Sequence, residues 1–419
     1  MRVYVESFGC AENQAEGEII KGLIRKNYDL VESKNIADAI VLNVCTVKGT
    51  TSTLRAVKKF YSPGKKLIIA GCITSDLVQS IKKIVPNASF VSTNQLLQIA
   101  TAIENKQIEY LNCEAVPVPL GLPRVRKNKI IGIVPIERGC NSFCAYCSVK
   151  LIKGNTKSYS VEAICNEIKN ALTDGCKEIW LTGQDTACWG YDIGKRLPEL
   201  LENIFEIKAN FKIRLGMGNP KWILFYLDEL IECYKNEKLF KFIHLPIESG
   251  SNKVLKAMHR GYKIEDIEEA IFKIKNAIPN ITISTDAIVG FPGEDEEDFQ
   301  LTINAIEKIK PDIVNISRFV PRPGTVAYKM PNQVSSNVKK HRSAYLTSIV
   351  REISFENNTK WIGWTGKVLI DEIGQNCFIG RNFAYKPTVL KNSNLNLGDE
   401  ALVKICDARP NFLIGKVLN

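Results

Sequence analysis

The strongest constraint on this chain is a rhythm that runs to about residue 330, in which short apolar runs alternate with amphipathic stretches of helical period. VYVESF (3 to 8), AIVLNV (39 to 44) and KLIIAG (66 to 71) read as strands, with helices predicted over 12 to 26 and 54 to 61. Strands separated by helices pair in parallel through right-handed crossovers, so an open parallel α/β domain is expected over 1–112. A Pro-rich basic segment then reads as a linker, 113–129. The rhythm returns six times, at IIGIVPI (130 to 136), EIWLTG (178 to 183), KIRLGM (212 to 217), FKFIHLPI (240 to 247), ITISTDAIVGF (281 to 291) and DIVNISRF (312 to 319). Six such units predict a partial α/β barrel over 130–358, with its active site at the C-terminal ends of the strands. Each run ends in Gly, Pro, Cys or charged residues, which makes the six loops one candidate site. From 360 to 419 the pattern becomes short strands between Gly and Asn turns, as expected of a small β-barrel of the kind that binds RNA or merely completes a fold.

Composition narrows the chemistry. The 419 residues hold 13 cysteines and only 3 histidines. No stretch approaches the roughly 18 uncharged apolar residues of a membrane span, and MRVYVESFGC lacks a signal core, so a cytoplasmic protein away from membranes is expected. In a reducing compartment the cysteines serve as metal ligands, catalysts or core residues rather than disulfides. With so few histidines, any metal is expected on thiolates, which suit iron-sulfur clusters and zinc. The net charge of +11 implies a polyanionic partner, and residues 120 to 159 concentrate it: Arg124, Arg126, Lys127, Lys129, Arg138, Lys150, Lys153 and Lys157 stand against Glu137 alone. A solvated basic linker is the plain alternative.

Two cysteine patterns stand out. Cys140, Cys144 and Cys147 form C-x3-C-x2-C directly after the first barrel strand. A structural zinc site would want a fourth ligand nearby, whereas a 4Fe-4S cluster on three cysteines leaves one iron open to a substrate or cofactor. Cys10, Cys45 and Cys72 are far apart in sequence, yet each follows a predicted strand, and equivalent strand ends of a parallel sheet lie side by side. Three buried thiols that happen to sit at strand ends would give the same pattern.

The C-x3-C-x2-C spacing, with Tyr146 before its last cysteine, resembles the radical S-adenosylmethionine (SAM) superfamily. With the second triad, and with Thr182-Gly183-Gln184-Asp185-Thr186, Gly290-Phe291-Pro292-Gly293-Glu294 and Pro321-Arg322-Pro323-Gly324-Thr325, the chain resembles the methylthiotransferases along nearly its whole length. That resemblance implies an N-terminal domain whose Cys10, Cys45 and Cys72 hold an auxiliary 4Fe-4S cluster. It also implies a barrel whose Cys140, Cys144 and Cys147 hold the SAM-binding cluster, and a C-terminal TRAM-like domain that binds RNA. The reduced cluster of such enzymes cleaves SAM to methionine and a 5′-deoxyadenosyl radical, and no catalytic residue beyond the clusters is expected. TGQDTACWGYDIG (182 to 194), GMGNP (216 to 220), and Lys150, Gly154 and Ser158-Tyr159 look like the archaeal and eukaryotic branch that acts on N6-threonylcarbamoyladenosine. Bacterial relatives acting on isopentenyladenosine more usually have proline where this chain has Val149.

The implied reaction places a methylthio group at C2 of that adenosine, at tRNA position 37, with two SAM molecules, one as methyl donor and one as radical source. Isopentenyladenosine in tRNA, a ribosomal-protein aspartate, or a non-catalytic iron-sulfur RNA-binding protein are the alternatives. Expected partners are the tRNA anticodon stem-loop, with phosphate contacts from the basic window, an electron donor such as ferredoxin or flavodoxin, and a sulfur donor. Tyr146, Gly183, Gln184, Asp185, Arg214, Glu248, Ser249 and Asp286 are the candidate SAM contacts, Arg214 through the SAM carboxylate. Glu248-Ser249-Gly250-Ser251 departs from the Gln-Ser-Gly-Ser usual in the family. His244 reads as a packed strand residue, and Glu294 to Asp298 as a helix N-terminus rather than a metal site. Cys113, Cys165, Cys176, Cys188, Cys233, Cys377 and Cys406 read as incidental thiols, Cys188 being of interest for its place in the TGQDTAC loop. With the sequence ending at Asn419, a protein without the membrane tail that eukaryotic relatives often carry is expected.

Overall fold

The computed structural model describes residues 1–45, 49–111, 118–391 and 394–418. The first unit is a parallel sheet in the order β2-β1-β3-β4-β5-β6. Its strands are β1 (Arg2–Ser7), β2 (Asp29–Leu30), β3 (Ala39–Val44), β4 (Lys66–Gly71), β5 (Ser89–Ser92) and β6 (Glu109–Tyr110). AIVLNV in β3 is buried along its full length because both faces are covered, as the parallel arrangement requires. Ala39 and Val41 pack with Ile19 and Ile20 of helix α1 (Ala11–Ile24), while Ile40 and Leu42 pack with Val57 and Leu77 on the other face.

All six apolar runs of the barrel are strands: β7 (Ile131–Pro135), then, after a short ribbon of β8 (Glu137–Arg138) and β9 (Lys157–Ser158), β10 (Glu178–Thr182), β11 (Lys212–Leu215), β12 (Phe242–His244), β13 (Thr282–Val289) and β14 (Ile313–Arg318). The parallel triplets β7-β10-β11 and β12-β13-β14 meet at the bridge Ile213 to Leu239, which makes an open six-stranded barrel. Ile179, Leu181, Ile213 and Leu215 point outward into the helical layer. By the alternation of a strand, Trp180 and Arg214 face the lumen.

The C-terminal strands β15 (Thr365–Gly374), β16 (Cys377–Arg381), β17 (Pro387–Leu390), β18 (Glu400–Arg409) and β19 (Phe412–Val417) close into a barrel, as the short-strand pattern predicts. This unit docks where the large barrel's strands begin. The Tyr385 ring packs at a tilt against Phe240 and Phe242, with centroids 4.9 and 5.2 Å away, and Lys386 pairs with Asp312 at 2.7 Å. The opposite, C-terminal ends of the strands stay free for the cysteine loop.

Between the first unit and the large barrel the expected linker is not a loose tether. Arg124 is buried against Glu167 at 2.7 Å, and the amide of Val125 donates to the Glu18 carbonyl at 3.0 Å. A Cβ on Gly22 would stand 1.9 Å from the Pro123 oxygen, so the segment lies pressed on α1. Among the described residues no helix is long and apolar enough to cross a membrane.

Candidate functional site

Cys10, Cys45 and Cys72 stand at the C-terminal ends of β1, β3 and β4, three neighbouring strands. The Cys72 amide donates to the Val44 carbonyl at 3.0 Å, which seats Cys72 beside Cys45. Gly9 brings Cys10 into the same corner: at φ +125°, a Cβ there would lie 2.5 Å from the Cys45 Cβ. A hydrogen bond with Cys45, followed by burial, pushes the Cys10 thiol well above its ordinary range. Asn13 and Asn43, which the sequence reading passed over, hold this corner. The Asn43 side chain donates to the Asn13 carbonyl at 2.7 Å, and the Asn13 side chain donates to the Asn43 carbonyl at 3.3 Å. Residues 46–48, just past Cys45, lie outside the described residues, as does Cys113.

Cys140, Cys144 and Cys147 sit on the loop that leaves β8. Gly139, at φ +88°, passes so close to Asn155 that a Cβ would stand 2.2 Å from its carbonyl oxygen. The Cys140 amide donates to Gly154 at 3.1 Å, and the Ala145 amide to Met258 at 3.0 Å, so the loop is clamped at both ends. Burial pushes the Cys140 thiol up to about 12 and the Cys147 thiol up to about 11. Thiols held so high keep their protons in water and give them up to solvent when a cation binds the sulfur in their place. The Cys140 sulfur accepts from the Ser142 amide at 3.4 Å, and the Cys144 sulfur from Arg260 Nη1 at 3.0 Å, donors suited to thiolate ligands. All six sulfurs are free of disulfides. Among the described residues no three His, Cys, Asp or Glu side chains are spaced for a single metal ion. The donor set, three soft ligands at each of two corners, fits iron-sulfur clusters.

A buried ionic network ties the two corners together. Lys153, beyond Cys147, lies 2.7 Å from Glu12 and 3.4 Å from Glu16 of α1; Arg138, before Cys140, lies 3.3 Å from Glu16 and donates to Thr93 at 2.6 Å. Every charged side chain in it is 3–4% exposed. This corrects the reading of the basic window as a set of phosphate contacts. Arg124, Arg126, Arg138 and Lys153 are paired with Glu167, Glu18 and Asp174, Glu16, and Glu12, acids too distant in sequence to be seen beside them. Lys127, Lys129 and Lys157 are exposed, and Lys150 is half-buried with its ammonium 3.3 Å from the centre of the Phe143 ring.

The other candidate residues have found internal partners. A Cβ on Gly183 would stand 2.1 Å from Glu137 Oε1, so a side chain there would have to displace the buried Glu137 carboxyl. Gln184 Oε1 accepts from the Gly139 amide at 2.6 Å, bracing the cysteine loop. Asp185 is buried, pushed up to about 6 by that burial, and accepts from the Asn219 amide at 2.8 Å. Ser249 lies 3.2 Å from the Thr302 hydroxyl inside the core. Asp286 is partly open to the lumen; burial raises its carboxyl, but His244 at 3.1 Å and Asn315 at 2.7 Å hold it below its ordinary value. Tyr146 donates to Glu248 at 2.7 Å.

Arg214 does not reach toward the strand ends with these residues. Its guanidinium lies 5.1–5.5 Å from the ring centres of Trp180, Phe242 and Tyr385, on the side where the C-terminal barrel docks. Cys188 is closed in against Thr156 at 3.1 Å. The acidic run is a helix start: Asp295 caps the helix Glu296–Ile309 by accepting from the Asp298 amide at 2.9 Å.

The chain has relatives among known proteins. Residues 134–306 match the Radical SAM superfamily and residues 2–93 match uncharacterized protein family UPF0004. A Pyrococcus horikoshii protein named "Probable threonylcarbamoyladenosine tRNA methylthiotransferase" is 38% identical over 435 residues, covering 100% of both chains. The chain belongs to the radical SAM methylthiotransferases. The human "Threonylcarbamoyladenosine tRNA methylthiotransferase" is 32% identical, over 99% of this chain and 74% of its own length. The cobalamin-dependent SAM radical enzyme OxsB shares the fold with a TM-score of 0.52 at 14% identity, over 78% of this chain and 54% of its own. The SAM methyltransferase TsrM from Kitasatospora setae does so with a TM-score of 0.51 at 12% identity, over 78% and 73%. As a methylthiotransferase of this family, the protein is an enzyme.

Proposed function

We propose that this methylthiotransferase converts N6-threonylcarbamoyladenosine at tRNA position 37 to its 2-methylthio derivative, with two SAM molecules and two 4Fe-4S clusters. One cluster would rest on Cys10, Cys45 and Cys72, the other on Cys140, Cys144 and Cys147. The observation that carries this reading is the buried network of Glu12, Glu16, Arg138 and Lys153, which fixes the two cysteine corners to one another. A reaction that replaces an aromatic C–H with C–S–CH3 needs a hydrogen-removing site and a sulfur-delivering site at one carbon. Two such sites on separately mobile domains would lose the positioning on which their joint action depends. When bound, the clusters and SAM supply electron transfer, the radical that removes the C2 hydrogen, the sulfur and the methyl group. The chain's part is to hold the six sulfurs, to bury the loop from water and to admit the base from the strand-end side.

Substrate choice rests on the names of relatives across archaea and eukaryotes. The exposed Lys127, Lys129 and Lys157 and the C-terminal barrel are the proposed surface for the tRNA backbone, with a base presented unstacked. An external electron donor and a sulfur source complete the proposed cycle. The deciding experiment incubates the anaerobically reconstituted protein with SAM, a reductant and tRNAs carrying either threonylcarbamoyladenosine or isopentenyladenosine, and then analyses nucleosides by mass spectrometry. A gain of one methylthio group on the first tRNA alone is expected; modification of the second alone, or of neither, would overturn the assignment.

A further inference from the structure

Arg260 does not stand out in the sequence, yet its guanidinium donates directly to a sulfur of the Cys140, Cys144 and Cys147 triad. It sits between two left-handed residues, His259 at φ +60° and Gly261 at φ +72°, which fold its side chain back under the cysteine loop. There it is 5% exposed. Nη1 donates to the Cys144 sulfur at 3.0 Å and to the Tyr146 hydroxyl at 3.3 Å, while Nε donates to the Tyr262 hydroxyl at 2.7 Å. Nη2 lies 3.8 Å from Glu248 Oε1, the atom that accepts from Tyr146 at 2.7 Å. Glu248 is itself held rigidly. It has φ +66°, its amide donates to Asp286 at 2.9 Å, and its carbonyl accepts from Ile288 at 2.9 Å. A cation thus touches the ligand sulfur and an anion stands one step behind it, both buried.

We propose that Arg260 and Glu248 are an opposed pair of charges that sets how readily the cluster on Cys140, Cys144 and Cys147 accepts its electron. The reduction is a one-electron step, from [4Fe-4S]2+ to [4Fe-4S]1+, with the electron supplied by an external reductant; it adds a negative charge beside Cys144. Arg260 favours that added charge and Glu248 opposes it, and in a low-dielectric site neither effect is screened as it would be in water. Both act through Cys144 and are positioning residues for the electron rather than catalytic ones.

This inference rests on the reading of these cysteines as a cluster site, and its test separates the two. The full chain is reconstituted anaerobically and titrated with reductant under electron paramagnetic resonance, the relevant signal being the one whose shape changes when SAM is added. A wild-type protein with no SAM-sensitive signal overturns the cluster reading itself. Given that signal, Glu248→Gln should raise the reduced-to-oxidised ratio at a fixed potential by about tenfold, about 59 mV for one electron. Arg260→Met should lower it by a similar factor, and Arg260→Lys should stay near wild type. Unchanged ratios in Glu248→Gln, or shifts of the same sign in Glu248→Gln and Arg260→Met, would overturn the proposal. Should Arg260→Met fail to fold, the near-isosteric Glu248→Gln decides it by the sign of its shift alone.

Discussion

Lys153 follows Cys140, Cys144 and Cys147 in sequence, but its ammonium reaches α1 of the first unit, 2.7 Å from Glu12 and 3.4 Å from Glu16. Removing one partner of a buried ion pair leaves uncompensated charge, so Lys153→Met should destabilise the fold by about 3–5 kcal/mol, against much less for Lys153→Arg. Urea denaturation of the two variants checks this; equal midpoints would refute it. Glu294 makes a pH-dependent case. Burial pushes its carboxyl up to about 7, against the opposing pull of Arg342 and two backbone amides. A raised carboxyl pKa means that the folded state holds the proton more tightly than the unfolded chain. The contribution is therefore favourable at low pH and is lost as pH rises from the unfolded value, near 4.5, through 7. Glu294→Gln should gain about 3 kcal/mol relative to wild type between pH 4.5 and pH 8, measured by denaturation at both ends. The placement of the six candidate cysteines at strand ends and on one loop was legible from sequence, because spacing and the apolar runs mark it. Arg260 and Asn13 were not, since what gives each its place is a partner far away in the chain.

At the scale of elements, the apolar rhythm located every strand of the large barrel, because a strand buried on its outer face must be apolar at alternate positions whatever its function. The β8–β9 ribbon beside the cysteine loop escaped, being two residues on each side and too short to show a period. The packing of the basic linker before the barrel does not show in its own sequence, because the glutamates that bury its arginines lie in α1 and in the helix Val161–Thr173. The cysteine loop depends on Gly139, where a side chain would meet both an unfavourable φ and the Asn155 carbonyl. Gly139→Ala is expected to lose about four irons per chain on reconstitution while Cys10, Cys45 and Cys72 keep theirs. Iron analysis checks this, and a full complement of iron would show that the loop tolerates the shift.

Across the whole molecule, burial divides the basic window. Three exposed lysines remain for phosphate, and the arginines hold the domains together. Replacing Lys127, Lys129 and Lys157 with alanine should therefore weaken tRNA binding and flatten the dependence of log affinity on log salt by about 2 units, with the melting temperature unchanged. An unaltered slope would move the RNA surface elsewhere, first to the C-terminal barrel. The central claim, that two cysteine corners held in one rigid frame do separate jobs, is tested most directly in the Cys10→Ala variant. With SAM, reductant and threonylcarbamoyladenosine tRNA, that variant should still form 5′-deoxyadenosine while making no methylthiolated nucleoside, whereas Cys144→Ala should lose both. Methylthiolation at the wild-type rate in Cys10→Ala would contradict the account.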